Sequence, residues 1–187
     1  MKGDCPSVDY EPHTVRIRGG ENKTIFFTTL NPSQKIPVIV DPNAVPACAE
    51  TNVPENLRTT HAATVFESGA ILLYLAERYG ELIPKDIINR YQAIQWDFWG
   101  SSEFSVQCKQ FGFYFKYCPH KLEYCENRAR EKVTRLLDAL ERQLSSHSSH
   151  YIVGDMYTIA DLAVWPWLWA LYEVRLLPVL LSRNNIY

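Results

Sequence analysis

Apolar and polar positions alternate along this chain with two different periods, and the change from one to the other falls near residue 85. In the first part, Thr14-Val15-Arg16-Ile17-Arg18 alternates with period two and predicts an edge strand that Gly19-Gly20 ends. Glu21 to Leu30 then predicts a short helix or a turn. A polar turn, Asn31 to Lys35, leads through Ile36-Pro37 into the apolar run Val38-Ile39-Val40. Proline has no N–H to give to a ladder, so Pro37 belongs at a first strand position or in a cis bend. Thr64-Val65-Phe66, β-branched and aromatic, predicts a second strand that runs straight into the polar elbow Glu67-Ser68-Gly69. Beyond the elbow, Ile71, Leu72, Leu75, Ala76 and Tyr79 recur on one helical face, with Ser68 expected as the N-cap and Gly80 as the stop.

The two strands are expected to be antiparallel, joined by Asp41 to Ala63. That connection carries Pro42, Pro46 and Pro54 and has no period. A loop of such length is either a functional lid or a disordered insertion, and length alone favours the insertion.

Glu81 to Ile88, with Pro84, reads as a linker, and everything beyond it reads helical. Arg90 to about Cys118 holds Tyr91, Ile94, Trp96, Phe98 and Trp99 and is closed by Pro119. Leu122, Cys125, Ala129, Val133, Leu136, Leu137, Leu140 and Leu144 form a regular stripe, as the core face of a long helix would. Thr158-Ile159-Ala160-Asp161 has the spacing of a capping box, with Tyr157 and Leu162 as its staple, which gives Asp161 a structural role. Leu162 to Leu171, with Trp165, Trp167 and Trp169, predicts a central buried helix. The pattern defines an α/β part over residues 1–84 and an all-α part over 85–187.

Composition changes this picture little. The 187 residues, 47% of them hydrophobic, suffice for an ordinary packed core. A net charge of −2 with scattered Lys and Arg recommends neither nucleic acid nor an acidic membrane surface. Met1 to Tyr10 has no apolar core of a signal peptide, and Leu162 to Leu181 is interrupted by Pro166, Glu173, Arg175 and Pro178, so no membrane span is expected. Five cysteines, an odd number without a CxxC or metal-ligand spacing, fit a reducing cytoplasmic compartment and no metal site. His147 and His150 sit in a Ser-rich stretch that reads as a solvated turn.

The elbow carries the chemistry. A helix N-terminus favours a carboxylate through its free N–H groups, while a Glu side chain favours an ammonium, so Glu67-Ser68 suits an amino-acid zwitterion. A plain helix cap would explain Ser68 but not its acidic neighbour.

The segments NPSQKIPVIVD (31–41), VFESGAILLYLAERYG (65–80), QWDFW (95–99), FGFYFKYCP (111–119) and YIVGDMYTIADLAVWPW (151–167) occur here in that order. Together they make the chain, from about Tyr10 to about Trp169, resemble the cytosolic glutathione transferases. The resemblance is greatest to the nu-type group, which includes bacterial glutathione-dependent disulfide-bond reductases. It implies a thioredoxin-like part followed by a glutathione-transferase-type helical bundle, without counterparts of the family's first strand, first helix and closing helices. It also implies that Glu67 and Ser68 take the γ-glutamyl ammonium and carboxylate of glutathione, and that the Ile36 main chain before cis-Pro37 pairs with its cysteinyl backbone. Lys35 would face the glycyl carboxylate, and Arg128 matches a position where nu-type relatives direct an arginine at glutathione. For Lys35 and Arg128 a solvated surface charge is the competing reading. Gly100-Ser101-Ser102-Glu103-Phe104 departs from the Gly-rich, apolar run of the related proteins.

The resemblance further implies a homodimer that acts on a small electrophile or a disulfide substrate, by conjugation or by disulfide reduction. Its thiol-activating donor belongs to the first strand and helix, so no catalytic residue is assigned, and weak glutathione binding without turnover is the expected pattern. A non-catalytic binding module and an inactive fragment are the alternatives.

Overall fold

The computed structural model describes residues 8–44 and 63–173. Residues 45–62 of the connection between the strands, on which the lid and insertion readings of Asp41 to Ala63 fall, lie outside the described residues, as does the chain beyond Glu173. The chain divides into two compact units, Met1–Tyr74 and Leu75–Tyr187.

In the first unit a six-residue helix, α1 (Ile25–Leu30), is followed by strands β1 (Val38–Asp41) and β2 (Ala63–Phe66) and by the start of α2 (Ser68–Tyr79). Thr24 caps α1, its side chain accepting the Phe27 N–H at 3.3 Å, and Phe27 is the buried anchor of this helix. The strands pair antiparallel as expected, in the register Val38↔Phe66, Ile39↔Val65, Val40↔Thr64 and Asp41↔Ala63. Tyr74 on α2 donates its hydroxyl to Asp41 at 2.7 Å, tying the helix to the far end of that ladder.

The expected edge strand at Thr14 to Arg18 does not form. Thr14 to Arg16 has no regular structure, and Ile17–Gly19 is a single 3₁₀ turn. The reason is local. Glu21 folds back so that its carboxylate accepts the Arg16 backbone N–H at 2.7 Å and also meets the Arg16 guanidinium. Gly20 completes the turn in the left-handed region at φ 80°. Ile17 is left 48% exposed, so the alternation has no buried face to support a strand.

The second unit is helical, with no strand among the described residues. Glu81 to Ile88, expected as a linker, lies within this unit: Ile83 and Pro84 are buried, and the Leu82 carbonyl accepts the Ile159 N–H at 2.9 Å. Asp86 then caps α3 (Ile87–Phe98) by accepting the Asn89 N–H at 2.9 Å. The path continues through a π-helical segment (Trp99–Phe104), α4 (Ser105–Gly112) and a second π-helical segment (Phe113–Tyr117). It is followed by α5 (Glu123–Ser145) and α6 (Ile159–Glu173). The α5 stripe lies inward at Ala129, Val133, Leu136 and Leu140, packed with Phe104, Cys108, Phe111, Ile152, Val153, Ala160 and Val164. Gly100 permits the close approach to α6: a Cβ there would stand 3.0 Å from both Ala163 Cβ and Val164 Cγ2.

Asp161 closes the start of α6. Its carboxylate accepts the Thr158 N–H at 2.9 Å and the Ile152 N–H at 3.0 Å, joining the cap to the preceding loop. Contrary to the sequence expectation, the helix it begins is not buried all round. Ala160, Ala163, Val164 and Leu171 turn inward, while Trp165 and Trp169 on the opposite side are 58% and 49% exposed. His147 also departs from a solvated turn: both ring nitrogens are enclosed, without a hydrogen-bond partner among the described residues.

Candidate glutathione-binding elbow and loop

Antiparallel register brings two segments of the first unit to one end of the sheet. Val38 opens β1 and pairs with Phe66, which closes β2, so the loop before Val38 and the elbow after Phe66 leave the ladder side by side. Lys35 and Ile36 lie on that loop, Glu67 and Ser68 on that elbow, and all four are exposed. Arg128 lies on the exposed side of α5, in the second unit.

The elbow differs from its expected form in one respect. The Ile71 N–H bonds the Glu67 carbonyl at 2.9 Å, so Glu67, and not Ser68, occupies the N-cap place. Glu67 achieves this in the left-handed region, at φ 69°, which turns the chain from strand to helix within one residue. Ser68 is thereby the first helical residue. The N–H groups of Ser68, Gly69 and Ala70 stand outside the i→i−4 ladder, directed out of the N-terminus of a twelve-residue helix. Three donors and one flexible acid in succession can hold an anion and a cation on one small ligand.

The facing loop is built from amide side chains that sequence reasoning passed over. Asn31, 1% exposed, ends α1 and then serves the turn with every polar group it has. Its N–H bonds the Phe27 carbonyl at 2.9 Å and its carbonyl accepts the Gln34 N–H at 3.0 Å. Its Oδ1 accepts the Ser33 N–H at 2.8 Å, and its Nδ2 donates to the Lys35 carbonyl at 2.6 Å. From a second 3₁₀ turn, Glu21–Lys23, buried Asn22 donates Nδ2 to the Gln34 carbonyl at 2.8 Å. Gln34 sits in the left-handed region at φ 56°, and the Ile36-Pro37 bond is cis. In the sequence these residues look like ordinary turn formers.

A cavity of about 200 Å³ lies elsewhere, lined by Ala76, Glu77, Gly80, Ile83, Pro84, Lys85 and Arg90, and it contains none of the four residues. Among the described residues no cluster of His, Cys, Asp and Glu could hold a metal ion.

Comparison with known proteins places the chain in a family. Residues 123–181 match the family described as Glutathione S-transferase, C-terminal domain. Disulfide-bond oxidoreductase YghU of Escherichia coli (strain K12) is 38% identical over 159 residues, covering 85% of this chain and 49% of the relative. Disulfide-bond oxidoreductase YfcG of the same organism is 32% identical over 161 residues, covering 86% of this chain and 68% of the relative. A glutathione transferase of Burkholderia graminis, crystallised with two glutathione molecules bound per subunit, superposes with a TM-score of 0.81 at 35% identity. That superposition covers 94% of this chain and 68% of the Burkholderia chain. The chain belongs to the glutathione transferase family. It shares the architecture of these structures, a thioredoxin-like part followed by a helical bundle, and spans about half the length of YghU.

Proposed function

We propose that this chain binds glutathione at the sheet end from which the Lys35-Ile36 loop and the Glu67-Ser68 elbow emerge, for conjugation to a small electrophile or reduction of a disulfide. The observation that carries this reading is the shared sheet end set by the Val38↔Phe66 pair, with three N–H groups and the Glu67 side chain on one side and the Ile36 main chain on the other. Glu67 and the N–H groups that begin at Ser68 take the γ-glutamyl ammonium and carboxylate, Ile36 pairs with the cysteinyl backbone, and Lys35 faces the glycyl carboxylate. Pro37 shapes the bend that carries Ile36. Arg128 is assigned a charge contact with glutathione of its own, with Arg128→Ala as its separate test. We further read the protein as a cytoplasmic homodimer organised in domains over residues 1–84 and 85–187. The free thiols of Cys108, Cys118 and Cys125 support the compartment.

The test is titration of the full chain with glutathione by calorimetry, followed by conjugation and disulfide-reduction assays. Glu67→Ala is expected to cost about 1.5–3 kcal/mol, roughly ten- to a hundred-fold in Kd, through loss of a charge-assisted bond. An unchanged affinity rejects the role of Glu67, and absence of binding by the unaltered chain rejects the glutathione reading.

A further inference from the structure

We propose that Asn31 is a positioning residue that aims the Ile36 N–H at the ligand, with Asn22 as its auxiliary; this rests on the glutathione reading above. A trans peptide is planar, with its C=O and N–H pointing in opposite directions. Only Ile36-Pro37 is cis among the described residues, so the Lys35-Ile36 peptide is trans. Asn31 Nδ2 draws the Lys35 carbonyl inward at 2.6 Å, toward a side chain that is 1% exposed. The N–H on the other side of the same plane, that of Ile36, must then face outward. Ile36 is 51% exposed, and among the described residues its N–H has no protein partner. The preceding peptide is held in the same sense, with the Gln34 carbonyl on Asn22 at 2.8 Å.

Two consecutive carbonyls are therefore tied inward by buried amides from two different elements. A loop so held presents its donor without having to be ordered when the ligand arrives, and pre-organisation of that kind raises affinity by removing a cost of binding. The role is narrower than structural support. It concerns the ligand's peptide portion, which meets Ile36, and leaves the γ-glutamyl portion at the elbow untouched.

The experiment compares two ligands on the full chain by amide NMR: glutathione, and γ-glutamyl methylamide, which lacks the cysteinyl and glycyl parts. Asn31→Asp keeps the size and the acceptor for Ser33 but replaces the donor facing the Lys35 carbonyl with an oxygen. Asn22→Ala is the second variant, acting on the adjacent carbonyl. Asn31→Asp is expected to weaken glutathione about tenfold and Asn22→Ala about threefold, while γ-glutamyl methylamide changes by less than twofold in either. Amide exchange should accelerate at Gln34 in the loosened turn and stay unchanged at Ser33, whose acceptor Asn31→Asp retains, and in the Val38 to Asp41 ladder. Unaltered glutathione affinity in a variant whose loop amides have loosened overturns the proposal and leaves the glutathione reading standing. A parallel loss of both ligands, through unfolding or otherwise, makes Asn31 a structural residue and overturns it as well. Failure of the unaltered chain to bind glutathione overturns the reading beneath it, and the proposal with it.

Discussion

Asp97 gives the helical unit a stability that depends on pH in an unusual direction. It lies on α3 between the inward positions Ala93 and Gly100, is 1% exposed, and neither carboxylate oxygen has a hydrogen-bond partner among the described residues. Burial without a compensating donor disfavours the charged form and pushes the carboxyl up from 3.8 to about 7. A group whose folded pKa is raised contributes stability that is fully present below its unfolded pKa and is lost as pH rises through its folded pKa. Between pH 4 and 7, only the unfolded chain ionises, so each pH unit removes about 1.4 kcal/mol, at most about 4 kcal/mol in all. Above pH 7 both states are charged and the loss stays constant. The Asp97→Asn variant cannot ionise at this position but retains the buried polar shape, at a pH-independent cost of about 1–3 kcal/mol for its own unmatched groups. Urea unfolding, followed by the fluorescence of Trp96 and Trp99 beside the core, measures both proteins from pH 4 to 8. Relative to that variant, the unaltered chain should lose about 2–4 kcal/mol across that range. Stability curves that run parallel would refute the placement of an unpaired carboxyl in this helix interface.

Three further outcomes follow from the same unit. Gly100→Ala places a Cβ 3.0 Å from Ala163 Cβ and Val164 Cγ2, where two helix backbones leave no room to give, and should destabilise the protein by about 1–3 kcal/mol in urea unfolding; a neutral effect would mean that the helices separate freely. Asp161→Ala strands the N–H groups of Thr158 and Ile152 and should cost about 1–3 kcal/mol, with Asp161→Asn restoring only part, as read from thermal unfolding. Burial pushes the Cys108 thiol up to about 12, so iodoacetamide at pH 8 should label half-buried Cys118 and Cys125 in the native state and reach Cys108 only on unfolding, which mass mapping of the labelled peptides resolves.

The elbow and the facing loop, proposed above to bind glutathione, obtain their geometry by different means. The elbow is a covalent consequence of chain order: a strand, one left-handed residue and a helix leave its N–H donors pointing one way whatever surrounds them. The loop carries no regular hydrogen bonding of its own, and its shape comes from the buried amides of Asn22 and Asn31. On the proposed reading, substitution at the elbow acts on the ligand directly, whereas substitution in the amide pair acts through the main chain of Lys35 and Ile36.

Features set by neighbours within a few residues could be read from the sequence alone. The runs around Val38 and Thr64, the helix that Gly80 stops, the α5 stripe and the carboxylate of Asp161 at its cap depend on side-chain chemistry at fixed short spacings. The order of the family segments likewise carried the thioredoxin-like part followed by a helical bundle. What depends on the path the backbone takes and on which surfaces meet could not be read there. The alternation at Thr14 to Arg18 describes a strand only if another strand lies beside it, and Glu21 instead closes it into a turn. Glu67, in the left-handed region, takes the N-cap place one position before Ser68. The outward face of Trp165 and Trp169, the burial of Asp97, and the two amides behind the Ile36 loop are decided by which surfaces meet. A sequence lists polar groups without saying which of them lose water, and that loss, set by tertiary packing, gives Asp97 its raised pKa and Asn31 its hold on the loop.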